Sequence, residues 1–181
     1  MHCQSPLLVA VAALALGGCD KQADSGPKSM EQAKEEATKL ERPRPGQYRQ
    51  SITITRFEMP NAPPQAVAQI KQAMEQQQQG SFCLTAEKAQ DGFRDMFQEV
   101  GKNGECKYDR FEVDGGRLDA ALDCKAANQG SARIVLAGNV TPEGSDVTVD
   151  VDQDDPGNPM GKARIGMRMT SQRTGDCATG R

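Results

Sequence analysis

Residues 106–124 have the sequence CKYDRFEVDGGRLDAALDC, and this pattern predicts a β-hairpin. Gly115-Gly116 forms its two-residue turn, because both glycines accept the positive φ angles that such turns require. One bulge at Asp109-Arg110 then brings Cys106 directly opposite Cys124. With this bulge, all the large apolar side chains of the hairpin share one face: Tyr108, Phe111, Val113, Leu118 and Leu122. The register therefore predicts a Cys106–Cys124 disulfide.

The N-terminus is typical of a secretory signal that ends at a lipid attachment site. The apolar run from Pro6 to Leu16 is shorter than the ~20 residues that span a bilayer. Gly17-Gly18 then precedes Cys19, an ending that resembles the lipobox of bacterial lipoproteins. We therefore expect residues 1–18 to be a signal peptide. Cys19 would carry lipid and anchor the chain to a membrane from outside the cytoplasm.

Two details of this anchor stay open. No Lys or Arg precedes the apolar run, so an ordinary signal peptide or an uncleaved anchor is the alternative. Asp20 follows the lipid position and resembles a signal for retention in the inner membrane, which slightly favours that membrane over the outer one. In either case we expect a periplasm-facing lipoprotein of the cell envelope.

Four cysteines follow the predicted lipid attachment site: Cys83, Cys106, Cys124 and Cys177. An even number of cysteines in an exported chain predicts two disulfides. Since the hairpin register pairs Cys106 with Cys124, elimination pairs Cys83 with Cys177. Zinc binding is the alternative, but no C-x-x-C spacing occurs, and the only histidine is His2 in the predicted signal peptide. We expect no metal and no cofactor.

Residues 19–45 are predicted to form a flexible tether. Ser29 and Gln32 match the capping box of a short helix, and Pro43 ends it. The thin apolar stripe of this helix consists of Met30, Ala33, Ala37 and Leu40. A polar segment of this kind favours a spacer that holds a domain away from a membrane. A helix that binds a partner protein is the alternative.

Residues 46–181 are predicted to form a single α+β domain with two disulfides. A first strand from Tyr48 to Phe57 precedes two helices, the second of which begins at the N-cap Thr85. The buried face of this second helix would comprise Ala89, Phe93, Met96, Phe97 and Val100. Apolar residues then alternate through the rest of the chain. We expect an antiparallel meander of about six strands, packed by the two helices.

Several short motifs follow one another along this domain. They are Pro45-Gly46-Gln47-Tyr48, Cys83-Leu84-Thr85, the hairpin cysteines Cys106 and Cys124, Gly138, Met167 with Met169, and Gly175-Asp176-Cys177. Their order resembles domain of unknown function 3617, a family of small exported bacterial proteins that includes many lipoproteins. The resemblance covers nearly all of residues 45–177. It implies the fold and the compartment, and it implies no activity.

One acidic stretch suggests calcium. Asp150, Asp152 and Asp154 match the first three ligand positions of a helix-loop-helix calcium loop. The match then fails, because the glycine and the bidentate glutamate of such a loop are missing. These acids alternate with valines, so the favoured interpretation is the solvent face of a strand, paired with Arg164 and Arg168.

The composition excludes several function classes. Because no histidine follows the predicted signal peptide, histidine-dependent catalysis is excluded, and no other catalytic motif occurs. The net charge of −3 gives no basic surface for nucleic acid. We therefore expect a non-catalytic module that binds a protein or an apolar ligand, with small residues such as Gly138 and Ala163 leaving room. The alternative is an inhibitor of an envelope-attacking hydrolase that uses the loop from Asp154 to Gly161.

Overall fold

The computed structural model describes residues 26–76, 79–92, 105–126, 130–157 and 161–178. The strands in these ranges are β1 (Gly46–Glu58), β2 (Gln79–Leu84), β3 (Glu105–Asp114), β4 (Arg117–Ala126), β5 (Gly130–Thr141), β6 (Gly144–Asp154) and β7 (Lys162–Gly175). The helices are α1 (Met30–Ala37), α2 (Pro64–Gln76) and α3 (Ala86–Asp91).

All seven strands pair antiparallel in one sheet, in the order β2-β1-β7-β6-β5-β4-β3. Strands β3 to β7 form a meander, and β1 lies between β7 and β2. The predicted antiparallel sheet with two disulfides is confirmed. The predicted count of about six strands is wrong, because the described part of the chain holds seven. The two helices predicted within residues 46–181 correspond to α2 and α3, and α1 is the short helix predicted before them. The domain is therefore mostly β.

Strand β2 is the element that the sequence did not predict. Its sequence, QGSFCL, has no alternation of apolar residues and directly follows a glutamine run. It forms because the first half of β1 offers a pairing edge, and residues 79–84 pair with residues 46–51. Here tertiary pairing, rather than a local pattern, makes the strand.

The second predicted helix is described only at its beginning. Thr85 is the N-cap of α3, and its hydroxyl accepts a hydrogen bond from the backbone N–H of Lys88 at 3.3 Å. Ala89, on the predicted buried face, is buried. The rest of that face, from Phe93 to Val100, lies outside the described residues.

The bulged hairpin has the predicted register. Tyr108 pairs with Leu122 and Arg110 with Ala121, so Asp109 is the extra residue. The structure contains two disulfides, Cys106–Cys124 and Cys83–Cys177, with Cα atoms 4.0 Å and 5.4 Å apart. These are the pairs that register and elimination predicted. The first closes the hairpin, and the second joins β2 to the segment after β7.

Helix α1 packs on the hairpin and is not part of a flexible tether. Ser29 and Gln32 form the predicted capping box. The apolar side chains of the segment are buried in one cluster with the hairpin. That cluster includes Ala33, Ala37, Leu40, Tyr108, Phe111, Val113, Leu118 and Leu122. The stripe is too thin for an isolated helix, but the hairpin supplies the surface that buries it.

Lys28 extends this packing to the edge of the sheet. Its backbone N–H donates to the Tyr108 carbonyl at 2.8 Å, and its ammonium donates to the Phe111 carbonyl at 2.9 Å. Burial alone would raise the pKa of Glu36, but a hydrogen bond from Lys39 and the charge of Lys28 hold that pKa below its usual value. The packed structure therefore already includes Lys28, which precedes the predicted start of the domain at residue 46.

Truncation of Leu40 tests the packing of the α1 segment. The side chain is 4% exposed, so Leu40→Ala should lower the free energy of unfolding by about 2–5 kcal/mol. The exposed neighbour Glu41 provides the control, since Glu41→Ala removes no buried contact. Urea denaturation measures both. Equal effects of the two variants would restore the tether interpretation.

Removal of one hairpin cysteine tests the disulfide map. In Cys106→Ala, the Cys124 thiol should become reactive to alkylation while Cys83–Cys177 stays closed, because the two bridges lie in different parts of the sheet. Peptide mapping of the alkylated protein measures this. A bridge between Cys124 and Cys83 or Cys177 would contradict the register.

Candidate functional site

The sheet has an apolar inner face, which is the face that carries Tyr108 and Phe111. The pairing of β4 to β7 lines up its side chains in successive rows. Three such rows are Leu122–Ile134–Val151–Ile165, Ala120–Leu136–Val149–Met167, and Leu118–Gly138–Val147–Met169. The cluster with α1 buries the β4 end of these rows, while the side chains on β5 to β7 are half-buried.

The next row along the inner face is different, because its side chains are small or polar. We call it the small-residue row: Cys124, Ala132, Gln153 and Ala163. A cavity of about 850 Å³ lies at this end of the sheet, lined by three of these residues. Met59, Pro60 and Val67 line it from the segment that joins β1 to α2 and from α2 itself. Small side chains on the sheet therefore leave space that the described part of the helix side does not fill.

Charged residues surround this cavity, but strand alternation turns their side chains to the outer face of the sheet. On that face they pair with one another. The Arg133 guanidinium donates to Asp109 at 2.7 Å and to Asp123 at 2.8 Å, so it links three strands. Arg164 lies 3.5 Å from Asp152. The cavity therefore combines apolar surface with a charged rim, and Gln153 is the polar side chain of the small-residue row. The apolar surface comes from Met59, Pro60, Val67, Cys124 and Ala132.

The structure does not bring the three calcium candidates together. Asp150, Asp152 and Asp154 occupy alternate positions of β6 on the outer face, so neighbouring carboxylates are separated along an extended strand. Asp152 pairs with Arg164, and Asp154 pairs with Lys162 at 3.2 Å. In the described ranges, no group of three or more histidine, cysteine or acidic side chains is arranged to hold a metal ion.

A second, smaller cavity of about 330 Å³ lies towards the opposite end of the sheet. Tyr48 and Phe82 line it and stack with ring centroids 5.5 Å apart. Ser145 and Ser171, also in its lining, share a hydrogen bond of 2.8 Å. The Tyr48 hydroxyl donates to main-chain carbonyls, so this cavity offers aromatic surface and few free hydrogen-bonding groups.

The small residues named from the sequence have different environments. A Cβ at Gly138 would lie 2.1 Å from the Asp146 carbonyl oxygen, so the neighbouring strand already occupies that space. The expectation that Gly138 leaves room for a ligand is wrong. Ala163 does belong to the small-residue row, although it is 9% exposed. Sequence reasoning missed Ala132 and Gln153, which only the full register of the sheet identifies.

Other predicted sites lie partly or wholly outside the described residues. These are the signal peptide, Cys19 and Asp20, and the middle of the loop from Asp154 to Gly161. The ends of that loop are close, since the Asp155 N–H donates to the Gly161 carbonyl at 2.6 Å. None of the helices in the described ranges has the length and apolar character needed to cross a bilayer.

The outer-face ion pairs predict a loss of stability in acid. The pKa of Asp109 is lowered because Arg133 donates a hydrogen bond to it, and Arg168 likewise lowers the pKa of Asp146. A lowered pKa in the folded state stabilises the protein above the ordinary aspartate pKa of about 3.9, and this stabilisation is lost as the pH falls through the folded value. Urea denaturation at pH 7 and pH 3 should show a smaller acid-dependent loss for Arg133→Gln than for the wild type.

The control for this effect is Arg117→Gln, on an exposed outer-face arginine for which the described residues provide no ion pair. It should keep the wild-type dependence on pH. An acid-dependent loss that is the same in Arg133→Gln and in the wild type would contradict the assignment.

Comparison with known proteins identifies a family but no activity. The family described as protein of unknown function (DUF3617) matches residues 43–177. The match spans both disulfides, all seven strands and the small-residue row. No curated protein matches the chain, and no solved structure does. Because the match covers most of the sequence, the chain belongs to the DUF3617 family of proteins of unknown function.

Proposed function

We propose that this protein is a lipid-anchored module of the cell envelope that binds an apolar or amphipathic small molecule without chemical turnover. The observation that carries the proposal is the cavity of about 850 Å³ over the small-residue row. Its volume lies within the range of small-molecule sites, which are typically apolar with a few polar groups.

The lining favours an apolar ligand. Ala132 and Cys124 of the hairpin disulfide line the cavity from the sheet, and Met59 and Val67 line it from the segment after β1 and from α2. Methionine adapts to ligands of different shape because its side chain is unbranched and polarisable. Gln153 supplies a donor and an acceptor at one position, which suits a ligand with one uncharged polar end.

The carboxylates around the cavity support a non-catalytic role. Acid–base catalysis needs a carboxylate placed to exchange a proton with the substrate. The cavity-lining carboxylates all pair with cations: Glu58 with Arg56, Asp123 with Arg133, Asp152 with Arg164, and Asp154 with Lys162. A bidentate hydrogen bond from Arg56 also keeps the pKa of Glu58 below its usual value, so Glu58 is unsuited to donate a proton.

The N-terminal sequence supports attachment to a membrane. Cys19 follows a short apolar run and two glycines, and two disulfides suit an oxidising compartment. Because Lys28 already packs on the sheet, only a short segment separates the domain from the lipid. The module would therefore work close to the membrane surface, and its inner-membrane placement is favoured by Asp20.

Filling the cavity tests the proposed function. Native mass spectrometry of the mature chain, purified from an oxidising compartment, should show a bound small molecule that organic solvent extracts. Ala132→Phe should lose most of this bound mass, because the phenylalanine ring would occupy the cavity. Val67→Trp, from the opposite wall, should do the same and provides a second variant if Ala132→Phe folds poorly.

The matched control is Ala137→Phe, which places the same side chain on the outer face of the same strand. It should retain the bound mass. A wild-type protein that carries no ligand, or a ligand that survives both cavity variants, would contradict the proposed site.

A further inference from the structure

The two edges of the sheet differ in how they are protected. At one edge, the backbone N–H of Lys28 donates to the Tyr108 carbonyl of β3, and charged residues run along that strand. These charged residues are Glu105, Lys107, Asp109, Arg110, Glu112 and Asp114. Charges and covering segments are the usual means by which proteins block pairing at a free edge.

Among the residues that the structure describes, the opposite edge, β2, has neither protection. Its sequence QGSFCL contains no charged residue and no proline, and within the described ranges no strand pairs with its far side. Five of its six residues are exposed. The Cys83–Cys177 bridge holds the strand to the segment after β7, so the edge is kept in place. A rigid, uncharged edge strand is suited to pairing with another strand.

Phe82 marks this edge as a contact surface. It is 41% exposed, and it is the large hydrophobic side chain that the described part of the chain leaves most open to solvent. Its ring stacks on Tyr48 of the neighbouring strand, with the two planes 11° apart. A further aromatic ring on the other side of Phe82 would extend this stack and cover the exposed surface.

We propose that β2 binds the β2 strand of a second copy of this chain, so that two seven-stranded sheets join into one. An antiparallel pair of identical strands has a two-fold axis, which is the commonest symmetry of protein dimers. Because β2 carries no charge, two copies do not repel each other there. Near the axis, Phe82 would lie beside Phe82 of the partner subunit, which supplies the further aromatic ring.

The position of the anchor suits this arrangement, and this argument rests on the lipid attachment proposed above. Lys28, the packed residue closest to Cys19, lies at the β3 edge, about 29 Å across the sheet from β2 at the usual strand spacing. The two-fold axis of an edge-to-edge pair is perpendicular to the sheet, so both copies present the same face to the same side. Both anchors can therefore enter one membrane without obstructing β2.

The expected dimer is weak in solution. Pairing of two six-residue strands buries less surface than the roughly 1,200–2,000 Å² of stable interfaces. Attachment of both copies to one membrane raises their effective concentration and favours the pair. The dimer is therefore favoured on the membrane, and in solution it forms only at high protein concentration.

A charge exchange at Phe82 tests the proposal. Donor- and acceptor-labelled mature chains, tagged at the C-terminus near β2, are placed in phosphatidylcholine vesicles, and energy transfer between them is measured. Wild-type chains should show transfer. Phe82→Glu and Phe82→Lys should each lose it, because like charges meet at the axis. A mixture of donor-labelled Phe82→Glu and acceptor-labelled Phe82→Lys should regain it, while Phe82→Gln controls for loss of the ring alone.

Three results would overturn the proposal: no transfer between wild-type chains that float with the vesicles, transfer that both charged variants retain, or a mixture that fails to regain it. The first result, no transfer between wild-type chains, is also what a monomer would give if its β2 instead paired with an extended segment of another protein. If the chain does not float, the lipid anchor has failed, and sedimentation equilibrium of the same samples at rising protein concentration decides the dimer separately. In that experiment, the proposal is overturned if mixing Phe82→Glu with Phe82→Lys does not restore the wild-type association constant.

Discussion

The extra residue Asp109 determines which side chains of the hairpin face inward. With it, Tyr108 and Phe111 lie on the same face as the Cys106–Cys124 bridge. Without it, one of the two rings would point to the opposite face, because side chains alternate along a strand. The Asp109 carboxylate also pairs with Arg133 across β4, so the bulge is held from the outer face as well. Both faces of the hairpin thus depend on this one irregularity.

The resulting inner face is covered by α1 over β3 and β4, and it has a cavity at the end of the sheet that carries the small-residue row. Where β3 and β4 present large side chains, α1 covers them and a buried cluster forms. Where the register brings Ala132 beside the disulfide, its side chain is too short to reach α2, and a cavity remains. Core and cavity therefore follow from the same register, through the sizes of successive side chains. A disulfide-held sheet keeps this cavity in shape without a large aromatic core.

Local patterns predicted the hairpin, the bulge and the Cys106–Cys124 disulfide, because turn residues and alternation act over a few positions, and elimination then gave Cys83–Cys177. They failed where distant partners decide. Strand β2 has no pattern of its own and forms on the edge of β1. Helix α1 has a stripe too thin to stand alone, and the hairpin buries it. The cavity was not predictable either, since Ala132 and Ala163 become neighbours only when the order and register of four strands are known.

The central claim is that the small-residue row forms a ligand site on the inner face. The most direct measurement is methyl NMR of alanine-labelled mature protein, titrated with 1-decanol below its solubility limit. The account predicts that the Ala132 methyl signal shifts with saturation, while the outer-face Ala137 signal stays in place. A shift confined to Ala137, or no saturable shift at Ala132, would contradict it.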